Sequence, residues 1–300
     1  MTNNGQWAIE TRGLTKKFGR NEAVNDLTLQ VPKGSVFAFL GRNAAGKTTT
    51  IRILLDLLNR TSGEARVLGL DCVKDSFEIK RRVGYVAEAQ KMYDWMKVDE
   101  IIWFCKGFYP TWDDAFAAEL KESLELPGGT KIGALSRGTQ AKVALLLAMA
   151  YRPELLILDE PTAGLDVVVR RDFLEGVIEL IQEEGRTVFF SSHIVHEVER
   201  VADWVGIIDR GRLVWRSTLD DLKAKVKRLV LGFDTPPTSF VSIPGLLTSE
   251  VSGRQAALMV KDFSDETLAA AKSLGPTELN VQDLNLEDIF VALVGQPEEA

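Results

Sequence analysis

The sequence predicts an α/β protein built on a parallel sheet and followed by a small second domain. Short apolar runs alternate with helical patterns along the chain, which is typical of a parallel sheet with right-handed crossovers. A glycine-rich loop directly follows one apolar run, and two adjacent carboxylates end another. Because ligands bind at the carboxyl edge of such sheets, the same observations predict a binding site there.

The predicted elements follow one another in a simple order. Residues 7–31 alternate loosely between apolar and polar side chains, which indicates two or three antiparallel strands. Short apolar runs predict buried parallel strands at 36–40, 155–158 and 187–190. Helices are predicted at about 48–59, 98–107, 113–125, 138–151 and 167–184, and a hairpin at 205–215.

A charged helix at about 219–228 separates two predicted domains. Beyond it, the turns Thr235–Pro237 and Pro244–Gly245 lie among new strand and helix signals. We therefore predict one domain at 1–225 and a small α+β accessory domain at 226–300.

Composition and charge narrow the class of protein. The net charge of −7 disfavours a nucleic-acid partner, because phosphate binding normally needs a basic surface. Cys72 and Cys105 lack metal-binding spacing, which favours a reducing cytoplasm. The longest uninterrupted apolar run, Val143–Tyr151, is far shorter than the roughly 20 residues that a membrane-spanning helix needs. If the protein serves transport, we expect another chain to form the pore.

The glycine-rich loop fits the pattern GxxxxGK[ST] between a predicted strand and a predicted helix. Backbone N–H groups of such a loop and the positive end of the following helix hold phosphate oxygens. Lys47 would reach the β- and γ-phosphates, and the Thr48 hydroxyl would take a Mg²⁺ position. We expect the nucleotide to lie on Gly41, Arg42, Asn43, Ala44, Ala45, Gly46, Lys47, Thr48 and Thr49. The loop alone is shared by kinases, GTPases and ATPases.

Two carboxylates stand at the end of the apolar strand that precedes Pro161. Asp159 is placed to hold Mg²⁺, directly or through a water. Glu160 is placed to polarise an attacking water as a general base. Between this strand and the phosphate loop lies the segment LSRGTQ, residues 135–140, before an apolar helix. Ser136 is a good N-cap there, and seen alone it would be no more than a cap.

Together these motifs resemble the ABC ATPase family from about Gly13 to Trp215. GRNAAGKTT is similar to the family's Walker A, LSRGTQ to its signature motif and LLILDEP to its Walker B. TAGLD, residues 162–166, is similar to the D-loop, and SSH, residues 191–193, to the switch-histidine loop. NLEDIF, residues 285–290, resembles the C-terminal end of a bacterial exporter branch.

The resemblance implies a P-loop NTPase fold of ABC type. Its parts would be a parallel α/β core, an N-terminal antiparallel β subdomain and a helical signature subdomain at about 88–150. The small C-terminal α+β domain would follow. ATP and Mg²⁺ are the implied cofactors.

The resemblance also implies that two such domains face each other head to tail with ATP between them. The signature residues Ser136, Arg137, Gly138 and Gln140 would meet the nucleotide of the partner domain, with Ser136 and Gly138 touching its γ-phosphate. The D-loop residue is Asp166.

Two further roles within the chain follow from the resemblance. His193 would contact the γ-phosphate and join Glu160 and Lys47 in catalysis. Phe18 would stack on the adenine, although a phenylalanine in this N-terminal sheet could equally be core.

The sequence departs from the family pattern at three positions. Ala44 replaces a usual glycine, and if the backbone is left-handed there the alanine costs roughly 1–2 kcal/mol. Arg137 replaces the first glycine of the signature pair, which we interpret as a mark of the exporter branch. Glu88 stands where a glutamine is expected and is the favoured third Mg²⁺-side residue, with Gln90 as the alternative.

Two other features have competing interpretations. His196 follows His193 at a metal-like spacing, but no third ligand is visible, and we expect it on a helix surface. A group of large apolar residues follows position 88 and is interpreted either as the core of the helical subdomain or as a surface for a membrane partner. Its members are Met92, Tyr93, Trp95, Met96 and Trp103.

The favoured function is the ATP-binding and hydrolysing subunit of an ABC transporter. It would work as a homodimer or heterodimer on a separately encoded membrane permease, at the cytoplasmic face of the membrane, without nucleic acid. A soluble non-transport ABC ATPase is disfavoured, because the coiled coils, zinc modules or second nucleotide domain of those branches are missing from the sequence. A nucleotide-gated regulatory module is disfavoured by the intact Lys47, Asp159, Glu160 and His193.

Overall fold

The structure is a computed structural model, and it describes residues 6–89, 91–163, 165, 170, 185–235 and 242–295. The chain divides into two compact units, Met1–Arg216 and Ser217–Ala300. The sequence predicts a boundary at 225/226, whereas the charged helix Leu219–Lys225 belongs to the second unit. No helix in the described ranges is both long enough and apolar enough to span a membrane.

The strands of the described residues form three sheets. They are β1 (Trp7–Phe18), β2 (Asn21–Leu27), β3 (Gln30–Pro32), β4 (Val36–Gly41), β5 (Ser62–Val67), β6 (Leu70–Asp71), β7 (Val83–Val86), β8 (Leu155–Asp159), β9 (Thr187–Ser192), β10 (Trp204–Asp209), β11 (Arg212–Thr218), β12 (Lys227–Gly232), β13 (Leu246–Ser252), β14 (Gln255–Val260) and β15 (Glu278–Gln282).

The helices of the same residues are α1 (Lys47–Leu54), α2 (Ser76–Arg82), α3 (Val98–Lys106), α4 (Asp114–Ser123), α5 (Arg137–Met149), α6 (Val195–Val201), α7 (Leu219–Lys225), α8 (Asp265–Ser273) and α9 (Leu286–Val294), with a 3₁₀ turn at Ile132–Ala134.

The N-terminal sheet is antiparallel where its strand pairs are defined. Its order is β2-β1-β5-β6, and β3 pairs with the other end of β1. The prediction of two or three antiparallel strands over residues 7–31 is therefore confirmed. β5 and β6 were not predicted from the sequence, because neither carries an apolar run or a clear alternation.

The second sheet positions the candidate site. Its order is β11-β10-β4-β9-β8-β7, and the five strands from β10 to β7 run parallel. Every residue of β4, β8 and β9 is buried, as their apolar runs predict. Because these strands are parallel, their carboxyl ends meet at one edge, where Gly41, Asp159 and Ser192 lie close together.

Helices α3, α4 and α5 form the predicted helical subdomain between β7 and β8. Each lies within two residues of its predicted bounds. Asp113 accepts a hydrogen bond from the Phe116 N–H as N-cap of α4, at 3.0 Å. The helix predicted at 167–184 lies outside the described residues except for residue 170.

Helix α1 ends earlier than the sequence predicts, at Leu54 and not near 59. Asp56 takes a left-handed φ of 52°, and the Leu57 and Leu58 N–H groups both donate to the Arg52 carbonyl oxygen. Such a wrapped turn satisfies the free carbonyl groups at the end of a helix.

The second unit has its own core, as the predicted small α+β domain requires. Its antiparallel sheet has the order β13-β14-β12-β15. Apolar side chains alternate toward one face of β12 and β14 and pack with residues of α8. The buried members of this core are Leu229, Leu231, Phe233, Ile243, Ala256, Leu258, Val260 and Ala271.

Candidate functional site

The phosphate loop, Gly41–Thr48, lies between the end of β4 and the start of α1. Gly46 has a φ of 110°, and a Cβ atom there would lie 2.4 Å from the Ala23 carbonyl oxygen. Only glycine fits this position, because the conformation and the close neighbour both exclude a side chain. The loop therefore brings the positive end of α1 to the carboxyl edge of the sheet.

Lys47 is buried and makes three polar contacts. Its ammonium donates to the carbonyl oxygens of Gly41 at 2.7 Å and Arg42 at 3.2 Å. It also lies 3.0 Å from Glu160 Oε1. The exposed fractions of the two side chains are 6% and 8%, so this ion pair is screened little by water.

Glu160 has a second partner at its other oxygen. His193 Nδ1 lies 2.7 Å from Glu160 Oε2, a distance at which the ring N–H donates to the carboxylate. Glu160 also takes a left-handed φ of 47°, which a non-glycine residue adopts only where its surroundings hold it. Its backbone N–H donates to Ser191 Oγ at 2.9 Å, and this bond is one of the contacts that hold it. The structure thus joins Lys47, Glu160 and His193 in one chain of contacts.

Asp159 lies beside this chain and bonds to both neighbouring segments. Its Oδ1 accepts from Thr48 Oγ1 at 3.0 Å and from Ser191 Oγ at 2.8 Å. Burial raises the pKa of Asp159 above its ordinary value, against the lowering effect of these two hydrogen bonds. A buried carboxylate and a hydroxyl side by side supply oxygen ligands of the kind that a hard divalent cation prefers.

A cavity opens above these residues. It is lined by Phe18, Asn21, Ala23, Asn43, Ala44, Ala45, Gly46, Lys47, Thr48, Thr49, Glu88, Glu160 and His193. Gly41, Arg42 and Asp159 do not line it but bond to Lys47 or Thr48 beneath it.

Phe18 is 49% exposed, so it is not a core residue of the N-terminal sheet. The Lys16 ammonium lies 4.8 Å from the centre of its ring. Asn21 and Ala23, which the sequence analysis did not predict, reach the cavity because β2 turns back directly from Phe18, pairing Asn21 with it. The hairpin register was the signal that could have found them.

The backbone at Ala44 is left-handed, with a φ of 64°. This is the conformation for which the sequence analysis expected alanine to cost roughly 1–2 kcal/mol relative to glycine. The cost is carried at the exposed edge of the phosphate loop.

Glu88 follows β7 and reaches the cavity, whereas Gln90 and the D-loop residue Asp166 lie outside the described residues. Glu88 also lines a second cavity, together with Ala89, Arg137, Gln140, Ala141, Pro161, Ala163 and Leu165.

The signature segment, Leu135–Gln140, is separate from the Lys47 cavity of its own chain. Ser136 is the N-cap of α5 and accepts from the Thr139 N–H at 3.2 Å, as predicted. Ser136 and Arg137 are exposed, and none of the signature residues lines the Lys47 cavity. The structure therefore brings together the phosphate loop, the two carboxylates, Glu88 and His193, whereas Arg137 and Gln140 share only the second cavity with Glu88.

Comparison with known proteins extends these observations. Residues 24–163 match the family model described as ABC transporter. The chain is 36% identical to the bacitracin transport ATP-binding protein BcrA of Bacillus licheniformis, over 73% of this chain and 72% of that protein. It is 29% identical to the ABC transporter ATP-binding protein YtrB of Bacillus subtilis, over 96% of this chain and 98% of that protein.

Solved structures agree with the fold. The ATP-binding subunit of an ABC transporter superposes with a TM-score of 0.65 at 25% identity, covering 72% of this chain and 92% of that one. A dimeric bacterial ABC transporter cassette gives a TM-score of 0.63 at 22% identity, covering 70% of this chain and 98% of that one.

Proposed function

The chain belongs to the ABC transporter family as one of its ATP-binding and ATP-hydrolysing subunits, and from this premise we propose which of its residues carry out the reaction. The triphosphate lies on the phosphate loop, with Lys47 at its β- and γ-phosphates. Glu160 is the general base that takes a proton from the attacking water. His193 holds the γ-phosphate and orients Glu160.

The observation that carries this proposal is the position of the Glu160 carboxylate between Lys47 and His193, at 3.0 and 2.7 Å. A base must lie within hydrogen-bond reach of the water beside the γ-phosphate, and the lysine marks where that phosphate binds. Phosphate oxygens would compete with Glu160 for the Lys47 ammonium. Once they bind it, the Glu160 oxygen that contacted Lys47 would be free to accept the proton of the attacking water.

Mg²⁺ is held in this proposal by Thr48 and Asp159, with Glu88 at the side of the cavity. The donor set fits the ion, because all three supply oxygen ligands and the Thr48 and Asp159 oxygens lie 3.0 Å apart. When bound, the ion neutralises charge on the phosphate oxygens.

The adenine stacks on Phe18 in this proposal. Phe18 lines the cavity and is 49% exposed, and the Lys16 ammonium lies 4.8 Å from the centre of its ring. Stacking on an exposed ring holds a base with little demand on its hydrogen-bonding pattern.

The test of the catalytic assignment compares two histidines three residues apart. We expect His193→Ala to lower steady-state phosphate release by about 10²-fold or more, since it removes the partner of the base. His196→Ala is the matched control, because His196 is exposed on α6 and does not line the cavity. Equal turnover of both variants and the unchanged protein would refute the role of His193.

We propose further that the signature residues act on the ATP of a partner domain. Ser136 is exposed at the positive end of α5, and the signature segment lies outside the cavity of its own chain. A helix end of this kind attracts an anion, so a γ-phosphate held by another ATPase domain fits it. The partner domain is a second copy of this chain or a different ATPase subunit.

Mixing two inactive variants tests this arrangement. Ser136→Arg and Lys47→Ala chains each lack one half of every site as homodimers, but a mixed dimer keeps one site with both halves intact. Turnover that returns on mixing supports a homodimer. Suppose instead that the mixture stays inactive, but that each variant regains turnover through its unmutated half when it is paired with a different ATPase subunit. The dimer is then a heterodimer. Full activity of Ser136→Arg alone contradicts the shared site.

We propose that a membrane permease binds an apolar groove and an aromatic cluster next to it. This contact would hold the chain at the cytoplasmic face of the membrane. The groove is lined by residues of β7, α3 and α5, by residues that follow α1, and by Met92 between β7 and α3. Four exposed rings in successive contact adjoin it. They are Trp95, Tyr93, Phe104 and Phe108, with centroid separations of 5.9, 5.9 and 5.2 Å.

The sequence allows two interpretations of the large apolar residues after position 88, as core or as a surface for a membrane partner, and different members fit different interpretations. Met96 is buried, whereas Tyr93 and Trp95 are 52% and 68% exposed. Exposed apolar patches mark interaction sites, and the bacitracin transport ATP-binding protein to which this chain is similar makes a membrane transport partner the natural candidate. Trp95→Ala should reduce co-purification of the permease without changing basal turnover. Phe77→Ala, an equally exposed ring outside the cluster, should change neither. Loss of co-purification in Phe77→Ala alone would contradict the assignment.

A further inference from the structure

Glu197 lies on α6, four residues after His193, and joins two segments of the site. Its Oε2 accepts hydrogen bonds from Thr162 Oγ1 at 3.0 Å and from Ser192 Oγ at 3.3 Å. The sequence motifs gave Glu197 no role, and the residue does not line the Lys47 cavity.

Both hydroxyl groups belong to residues next to the catalytic cluster. Thr162 is 1% exposed and follows Glu160 by two positions, in a turn where the Ala163 N–H donates to the Glu160 carbonyl oxygen at 3.0 Å. Ser192 is also 1% exposed and directly precedes His193. Its Oγ accepts from the Ile194 N–H at 2.9 Å. One carboxylate oxygen therefore connects the backbone after Glu160 to the backbone around His193.

The second oxygen of Glu197 makes this carboxylate unfavourable for the stability of the fold. Oε1 is fully enclosed and has no hydrogen-bond donor among the residues that the structure describes. Burial raises the pKa of Glu197, while the Thr162 and Ser192 hydroxyls and the charge of Arg170 lower it. A buried carboxylate with one oxygen unsatisfied costs free energy that an apolar side chain would not. Such a cost is expected where a group positions others for a reaction.

We propose that Glu197 is a positioning residue for ATP hydrolysis, which fixes Glu160 and His193 relative to each other by holding Thr162 and Ser192. This inference rests on the proposed roles of Glu160 and His193. The neighbouring Ser191 contacts both carboxylate-bearing residues directly, because its Oγ donates to Asp159 Oδ1 at 2.8 Å and accepts from the Glu160 N–H at 2.9 Å.

Removal of the carboxylate should affect turnover and not binding. The free energy of hydrogen bonds to a charged group is large enough that their loss corresponds to a change on the order of tenfold to hundredfold in a rate or equilibrium constant. We therefore expect Glu197→Ala to lower kcat by that factor while the Kd for ATP changes by less than about twofold. Glu197→Gln keeps an oxygen acceptor in the same place and should recover most of kcat. His196→Ala, on the same helix, is the control and should match the unchanged protein.

A second variant identifies the path. Thr162→Val removes one of the two donors at nearly constant volume, and it tests the contact even if Glu197→Ala does not fold. We expect it to lower kcat, to be rescued by Thr162→Ser, and to add little to the effect of Glu197→Ala in the double variant. Thermal unfolding of each variant measures the change in stability separately.

The outcomes separate the inference from the function on which it rests. If His193→Ala and Glu160→Gln lose turnover but Glu197→Ala and Thr162→Val keep it, the positioning role is wrong and the proposed function stands. A fully additive double variant, or a fall in stability with kcat unchanged, also overturns the positioning role. If His193→Ala keeps full turnover, the proposed role of His193 is wrong. That result does not depend on any variant of Glu197 or Thr162, so the two failures can be told apart.

Discussion

The Lys47 ammonium lies 3.0 Å from the Glu160 carboxylate, and the two side chains are almost fully buried. One residue starts helix α1 and the other follows strand β8, so the contact joins the phosphate loop to the carboxylate pair. The same lysine is proposed to hold the triphosphate and the same glutamate to activate water. In that proposal, nucleotide binding frees the Glu160 carboxylate from Lys47, because phosphate oxygens and Glu160 would compete for one ammonium group.

Lys47→Ala should lower ATP affinity by about tenfold to hundredfold or more, because charge-assisted hydrogen bonds to the phosphates are lost. It should also reduce stability, since among the residues that the structure describes only His193 would remain as a side-chain partner of the buried Glu160 carboxylate. Equilibrium binding of a fluorescent ATP analogue and thermal unfolding measure the two effects. Lys272→Ala, the same change at an exposed position of α8 in the second unit, should alter neither. Unchanged affinity in Lys47→Ala would refute the phosphate-loop assignment.

Ala44→Gly should stabilise the protein by up to about 1.6 kcal/mol. Relief of the left-handed alanine gains roughly 1–2 kcal/mol, and the added freedom of glycine in the unfolded chain offsets about 0.4–1 kcal/mol of it. Ala45→Gly is the matched control in the same loop, because Ala45 is buried without a positive φ and should lose stability. Denaturant unfolding gives both values, and a loss for Ala44→Gly as large as for Ala45→Gly would contradict the strain.

A chain that ends at residue 225 should bind ATP with unchanged affinity. All residues that line the Lys47 cavity lie within Met1–Arg216, and so do the described members of the core around Phe39 and Phe189. Calorimetric titration of the shortened and full chains provides the comparison. A shortened chain that is folded but does not bind ATP would show that the second unit contributes to the site.

The ion pair between Arg82 and Glu154 should make stability depend on acid pH. Hydrogen bonding to Arg82, at 2.6 and 3.0 Å, holds the pKa of Glu154 below its ordinary value of 4.5. The stabilisation is therefore present above the unfolded-state pKa and is lost as the pH falls through the lower folded-state pKa. Since both side chains are partly exposed, it amounts to no more than about 1 kcal/mol.

Glu154→Gln tests this dependence. The difference in unfolding free energy between Glu154→Gln and the unchanged protein should shrink between about pH 6 and pH 3. A difference that stays constant over this range would show that the charge of Glu154 contributes nothing.

Each part of the site that the sequence predicted is a short segment of consecutive residues. The phosphate loop and the Asp159–Glu160 pair each combine a local pattern with an apolar strand, and the parallel sheet brings their ends to one edge. The contact between Lys47 and Glu160 was not predicted, because side-chain pairing across 113 positions depends on packing and not on any local pattern. The same holds for the hydroxyl contacts of Glu197.

The elements that the sequence analysis missed are short and weakly patterned. Helix α2 buries only Ile79, so its seven residues carry no apolar stripe from which a helix could be predicted. Strand β5 is half exposed and gains its place through pairing with β1. Tertiary contacts decide both, whereas the apolar runs at 36–40 and 155–158 predicted β4 and β8 directly.

The most direct measurement for this account is single-turnover and steady-state phosphate release by Glu160→Gln, with ATP binding measured on the same protein. The glutamine keeps the size of the side chain and cannot accept the proton of the attacking water. We predict ATP affinity at least equal to that of the unchanged protein and phosphate release lower by about 10²–10⁴-fold. Phosphate release within about threefold of the unchanged protein, with ATP bound, would show that Glu160 is not the base.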